Sequence, residues 1–219
     1  SSAAIVSAKC PPEIIVRGYN SIAELANGKF DAWAIGCGLG SIGDDEANHL
    51  FESIHGNTKP VVIDADGLNL LAKHSRMEIL NQNHVITPHP GEFRRLAPDL
   101  ADLPRESAAR EFVNRFPATL LLKGSRTLVT QKSQPLWCNS TGSPGMATGG
   151  QGDLLAGVIG AQLAIGNAPL EAAAVSAWVC GRSAEIALTE PGFSEENLTP
   201  VDVAMRIGAA FQDWRNSTR

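Results

Sequence analysis

The sequence lacks the marks of several protein classes, and each absence narrows what the chain can do. Its four cysteines, Cys10, Cys37, Cys138 and Cys180, lie far apart and form no CxxC pair. Neither a zinc site nor a disulfide framework is therefore indicated, and a reducing, cytoplasmic setting is expected. No basic stretch followed by an apolar core opens the chain. Its most apolar stretch, around residues 153–166, has too many glycines and too few residues to span a bilayer, so no membrane partner is expected. Lys and Arg form no run and the net charge is −5, which argues against a nucleic-acid partner. A phosphorylated ligand would have to be held by local backbone dipoles rather than by a global positive field. There is no internal repeat and no low-complexity linker, and 188–199 is the one long loop-like stretch late in the chain. With 43% hydrophobic residues, 219 residues can bury a large core unaided, so a single domain over 1–219 is expected.

What is present is an alternation of short β-branched runs with helical patterns, as in an α/β fold whose mostly parallel sheet is flanked by helices on both faces. Strands are predicted over 32–36, 60–64, 84–87 and 119–123, followed by a hairpin through 127–130 and 135–138. Helices are predicted over 44–55, 67–73, 91–97, 106–116, 152–165, 169–188 and 200–214.

The most informative stretch is Asn139-Ser-Thr-Gly-Ser-Pro-Gly-Met-Ala-Thr-Gly-Gly-Gln-Gly-Asp153, which runs straight into an apolar helix. Glycines at 142, 145, 149, 150 and 152 permit positive φ and close backbone approach to a ligand, and the helix start aims unpaired N–H groups at it. That pattern describes an anion site. Its one carboxylate, Asp153, would be repelled by phosphate unless it had a task, and the natural task is to take a proton from an attacking hydroxyl. The alternative is a glycine-rich connector with Asp153 as the helix N-cap.

Ligands of parallel sheets bind beyond the carboxyl ends of strands. The segments following the four predicted parallel strands are Cys37-Gly38-Leu39-Gly40, Asp64-Ala65-Asp66-Gly67-Leu68-Asn69, Thr87-Pro88-His89-Pro90-Gly91-Glu92 and Lys123-Gly124-Ser125-Arg126-Thr127. Each has a structural reading as well. Asp66 could cap the helix opening at Gly67. His89 sits between two prolines that fix the turn and leave its imidazole for the crevice. Lys123 is either a snorkelling edge lysine or a contact to phosphate or base.

Taken in order, Gly36-Cys-Gly-Leu-Gly40, Val62-Ile-Asp-Ala-Asp-Gly-Leu-Asn69, Thr87-Pro-His-Pro-Gly-Glu-Phe93, Leu122-Lys-Gly124 and Gly142-Ser-Pro-Gly-Met-Ala-Thr-Gly-Gly-Gln-Gly-Asp153 resemble the ADP/ATP-dependent NAD(P)H-hydrate dehydratases of the ribokinase-like superfamily. The match runs from about residue 30 to about 182. The resemblance implies repair of hydrated NADH or NADPH: ADP or ATP phosphorylates the C6 hydroxyl of the damaged nicotinamide ring, and phosphate is then eliminated.

By that resemblance Asp153 is the catalytic base. The nucleotide would be held by Lys123, Gly124, Ser125, Arg126 and Thr127, and by Ser143, Pro144, Gly145, Met146 and Ala147 running on through Thr148, Gly149, Gly150, Gln151 and Gly152. Gly38, Asp64, Asp66 and Asn69 would line the hydrated cofactor together with His89, Pro90, Gly91, Glu92, Phe93, Arg94 and Arg95. Mg2+ is expected on the nucleotide phosphates and water, because no Asp/Glu cluster forms a protein cage. A homo-oligomer, as a tetramer, and a functional link to an NAD(P)H-hydrate epimerase are further implications of the resemblance.

The chain departs from the family pattern at Cys37, where Gly-Pro-Gly-Leu-Gly is usual, at Gln151, where Gly-Thr-Gly-Asp is usual, and at Cys180-Gly181, where His-Gly is usual. Its start also reads as entering after the family's N-terminal strand, turn and helix, which border the substrate. Two other functions fit the same loop: a kinase for a small vitamin precursor and a nucleotide-binding regulator without catalysis. The 87–93 motif matches the dehydratases better than the kinases.

Overall fold

A computed structural model of the chain describes residues 2–22, 24 and 28–217. It divides into two compact units, Ser1–Lys29 with Ile42–Asn57 and Phe30–Ser41 with Thr58–Arg219. The first contains helices α1 (Ser2–Lys9) and α2 (Asp44–His55). Helix α2 buries Ala47, Leu50, Phe51 and Ile54, spaced as one helical stripe, and carries Asp44, Asp45 and Glu46 in its first turn, where the helix dipole favours anions. Helix α1 is absent from the sequence prediction because it has no such stripe. Its Ile5 and Val6 are both exposed.

The second unit holds a six-stranded sheet in chain order. Strands β1 (Trp33–Ile35), β2 (Val61–Ile63), β3 (His84–Ile86) and β4 (Thr119–Leu122) run parallel, and β5 (Leu128–Thr130) and β6 (Trp137–Cys138) return antiparallel. Its helices are α3 (Ala65–Lys73), α4 (Pro90–Leu96), α5 (Arg105–Arg115), α6 (Gln151–Ala164), α7 (Pro169–Thr189), α8 (Pro200–Ala204) and α9 (Ile207–Ser217).

Both faces of the sheet are covered. On one, Val62, Val85, Leu121 and Val129 pack on Ala156, Ile159 and Leu163 of α6 and on Ala172, Ala173 and Ala177 of α7. Each large aliphatic side chain buried in this way contributes about 1.5–3 kcal/mol. The alternate residue Ile63 faces the other layer, where Gly67 lets α3 come so close that a Cβ there would lie 2.9 Å from Ile63 Cγ2. Helix α5 packs along β4 and β5, and Phe112 meets Phe93 of α4 at 5.5 Å between ring centroids.

The predicted helix over 200–214 is two helices. Continuing α8 would require the Arg206 amide to bond the Asp202 carbonyl, which accepts the Arg206 guanidinium at 2.8 Å. The amide turns instead to Val203, at 3.1 Å.

Candidate active site

The register Ile35, Ile63, Ile86, Leu120 places the ends of the four parallel strands side by side. Asp64, the residue after β2, is 1% exposed, and its carboxylate accepts a 2.8 Å hydrogen bond from Lys123 Nζ beyond β4. Lys123 also lies 3.8 Å from Glu92. Lys123 is thus paired rather than snorkelling, and it joins the ends of β2 and β4 to the start of α4.

The turn after β3 is built around His89. Its Nδ1 accepts the amides of Gly91 at 3.0 Å and Glu92 at 3.3 Å, and the Glu92 carboxylate accepts the His89 amide at 2.8 Å. This capping box spends one imidazole nitrogen on α4 and leaves Nε2, which stands 3.4 Å from Glu92. Pro90 and Gly91 form the exposed first turn, whereas Phe93 is turned into the core. Arg94 is exposed, and Arg95 donates to Asn69 Oδ1 at 2.9 Å.

Asp66 is not the cap of α3; Asp64 occupies that position. The Asp66 carboxylate instead accepts the Gly40 amide at 2.8 Å, pinning the turn that carries Cys37 and Gly38.

The glycine-rich segment has two parts with different tasks. From Gly142 to Met146 it is anchored to the protein. The Gly142 amide donates to Glu185 at 2.9 Å, Ser143 donates to Glu195 at 2.5 Å, and Gly145 lies so close to Glu195 that a Cβ would meet its backbone at 2.8 Å. Pro144 opens a short 3-10 turn, and Met146 packs on Ala184, Ala187, Leu198 and Val203. From Ala147 to Gly150 the backbone is exposed. Gly150 takes φ 91° as the N-cap of α6, a conformation a side chain would oppose. Asp153 is therefore the third helical residue, not the cap. The amides of Gln151, Gly152 and Asp153 are the unpaired first N–H groups of a 14-residue helix, an arrangement suited to an anion.

Gly152 is glycine for room and not for φ. A Cβ there would stand 3.3 Å from Lys123 Nζ and 3.4 Å from Asp64 Oδ2. The 123–127 loop lies close by: Arg105 clamps the carbonyls of Leu122, Lys123 and Ser125 at 3.2, 3.3 and 2.8 Å. Gly124 leaves space for that guanidinium, Arg126 is exposed at φ 57°, and the Thr127 carbonyl accepts the Asn139 amide at 2.8 Å. Sequence reasoning missed Arg105, Glu185 and Glu195, which hold these loops from helices or from the 188–199 stretch. No local motif marks them.

One cluster among the described residues brings three potential metal ligands together. Cys37, Asp64 and Asp153 place their ligand atoms within 4.8 Å of one another. Cys37 is exposed as a residue, but protein shields part of its thiol and the Asp153 and Asp64 carboxylates disfavour a thiolate, so its pKa is pushed up to about 12.

Gln151 departs from ordinary burial. Its side chain is 9% exposed, and neither end of its amide has a hydrogen-bond partner. An unsatisfied buried polar group costs about 1–3 kcal/mol. Gln151→Met keeps the length and removes the amide, so it should stabilise the chain by about 1–3 kcal/mol in urea denaturation. A lower midpoint for the Met variant would mean that the amide is satisfied in solution.

A model of the NAD(P)H-hydrate dehydratase family matches residues 1–204. The chain belongs to this family. Its dehydratase relatives include the ADP-dependent (S)-NAD(P)H-hydrate dehydratase of Neisseria meningitidis serogroup B, 38% identical over 192 residues, covering 84% of this chain and 63% of that protein. The bifunctional NAD(P)H-hydrate repair enzyme Nnr of Gloeobacter violaceus is 44% identical over 153 residues, covering 68% of this chain and 29% of the relative. The chain thus spans less than two thirds of either relative's length.

Among solved structures, a ribokinase-like superfamily protein from Enterococcus faecalis matches with a TM-score of 0.78 at 23% identity, over 95% of this chain and 73% of that one. The ADP/ATP-dependent NAD(P)H-hydrate dehydratase from Bacillus subtilis, co-crystallized with ATP/Mg2+, matches with a TM-score of 0.70 at 23% identity, over 87% of this chain and 69% of that one. The dehydratase family member described here therefore has the ribokinase-like α/β fold. Among its described residues, no helix is long and apolar enough to cross a membrane.

Proposed function

We propose that this chain carries out nucleotide-dependent dehydration of hydrated NADH or NADPH. The observation that carries the reading is the position of Asp153 in the first turn of α6, beside unpaired amides, with its carboxylate within 4.8 Å of the buried Asp64 that Lys123 neutralises. Asp153 takes the proton of the substrate C6 hydroxyl as that oxygen attacks the terminal phosphoryl group of ADP or ATP. The new C6–O–P bond forms while the bond to the rest of the nucleotide breaks; phosphate then leaves C6 with the C–O bond electrons, a proton is lost from the adjacent ring carbon C5, and the C5–C6 double bond is restored. Amides of Gln151 and Gly152 meet the charge on the transferred group, an effect of about 10²–10³ in rate per donor. Asp153 supplies about 10²–10⁴ as general base.

Magnesium fits this site as a nucleotide-borne ion. Lys123 occupies Asp64 and Cys37 stays protonated, so the cluster offers Asp153 and no closed cage. The ion would neutralise charge on the phosphates. The Neisseria relative's name supports ADP as donor, and the bifunctional name of the Gloeobacter relative supports a working link to an epimerase.

The deciding experiment is turnover of hydrated NADH with ADP and with ATP. Restoration of NADH absorbance with either nucleotide supports the reading. Nucleotide binding without turnover would favour the regulator. Gly152→Val tests the anion loop separately: its methyl groups would fall on the Lys123–Asp64 pair, and ADP or ATP affinity in titration calorimetry should fall at least about tenfold. Parental affinity in a folded variant would place the phosphates elsewhere.

A further inference from the structure

The Gly36–Gly40 turn brings a thiol to the candidate base. Gly36 and Gly38 take φ 114° and 67°, the Leu39 amide bonds the Gly36 carbonyl at 3.1 Å, and Asp66 holds the Gly40 amide at 2.8 Å. Cys37 is thus carried on a turn fixed at both ends, with Sγ within 4.8 Å of the Asp64 and Asp153 carboxylates. Asp64 already has Lys123. Asp153 offers the other carboxylate within that reach of the thiol.

Resting on the dehydratase reading, we propose that Cys37 is a positioning residue for Asp153: its S–H donates to one carboxylate oxygen and holds the other toward the hydroxyl to be activated. The thiol remains protonated at working pH, since partial shielding from water and the two carboxylates push it up to about 12. It is a weak donor, but its acceptor is ionised, which strengthens the bond. The charged groups facing the thiol are Asp64 at the end of β2, Lys123 beyond β4 and Asp153 on α6, with Glu92 of α4 behind Lys123 at 3.8 Å.

The contact and its catalytic consequence are tested separately. In a Cys10→Ser, Cys138→Ser background the remaining competitor, Cys180, is buried, with its thiol held near 12. Adding Asp153→Asn removes the repelling charge and should speed reaction of Cys37 with a disulfide reagent, about three- to fourfold for each unit by which the thiol pKa falls. Equal rates with and without the carboxylate would overturn the contact. This readout needs no turnover, so it decides the contact even if no nucleotide supports dehydration.

In the active chain, Cys37→Ala should lower kcat about tenfold with the nucleotide KM unchanged, and Cys37→Ser should restore most of the rate. An alanine variant with parental kcat would overturn the positioning role.

Discussion

Asp153→Asn should lower nucleotide-dependent dehydration by about 10²-fold or more while leaving ADP and ATP affinity near the parental value or slightly above it. The two effects have separate origins. The carboxylate is exposed beside the unpaired amides of α6, so it repels a bound phosphate and is also placed to accept a hydroxyl proton. Asparagine removes both properties at once. The fold should tolerate the change, because Gly150 caps the helix and Asp153 contributes at most its interaction with the helix dipole, about 0.3–1 kcal/mol. Kcat from NADH absorbance and affinity from titration calorimetry measure the two effects independently. Equal losses of rate and affinity, together with a lowered unfolding midpoint, would make Asp153 a structural residue and remove the proposed base.

The fold was legible where one rule governed a segment. Residues 60–64, 84–87 and 119–123 read as strands because apolar β-branched and leucine runs end in Asp, Thr-Pro or Lys-Gly, and the observed strands β2, β3 and β4 lie within those bounds. Rules of local periodicity do not see side chains that reach across the chain. At the end of α8 the Arg206 guanidinium reaches the Asp202 carbonyl, and α1 has no apolar stripe to reveal it.

Much of the candidate site shows the same limit. The glycine loop and the strand-end motifs were visible, but which glycine serves φ and which serves space was not. Gly150 requires positive φ, whereas Gly145 is defined by the Glu195 backbone that a Cβ would strike and Gly152 by its place beside the Lys123–Asp64 pair. The capping use of His89 Nδ1 was likewise hidden behind its position between two prolines. Cys37 was legible as part of the turn after β1 and as a departure from the family pattern, but its closeness to Asp153 depends on β1 and α6 coming together.

Gly36→Ala should be among the most destabilising single changes in the chain. At φ 114° a Cβ on residue 36 would stand 1.9 Å from the Asp64 carbonyl oxygen and 2.7 Å from the Gly67 amide nitrogen. Those atoms cannot retreat cheaply. The Asp64 carbonyl accepts the Gly67 amide at 3.0 Å to start α3, and the Asp64 amide donates to Ile35 at 3.0 Å to extend the sheet. Moving them would separate α3 from β1 and shift Asp64 away from Lys123. The expected loss is about 4–5 kcal/mol, the upper range for one substitution, against a total stability of about 5–15 kcal/mol.

Gly40→Ala supplies an internal comparison. Its φ is 68° and nothing lies within 4 Å of the added Cβ, so only the conformational cost remains, about 1 kcal/mol. Urea denaturation of both variants, followed by tryptophan fluorescence, should separate them by several kcal/mol. Two variants of similar stability would mean that β1 and α3 are not in the close contact described here, and the Asp64–Lys123 arrangement built on that contact would fall with it.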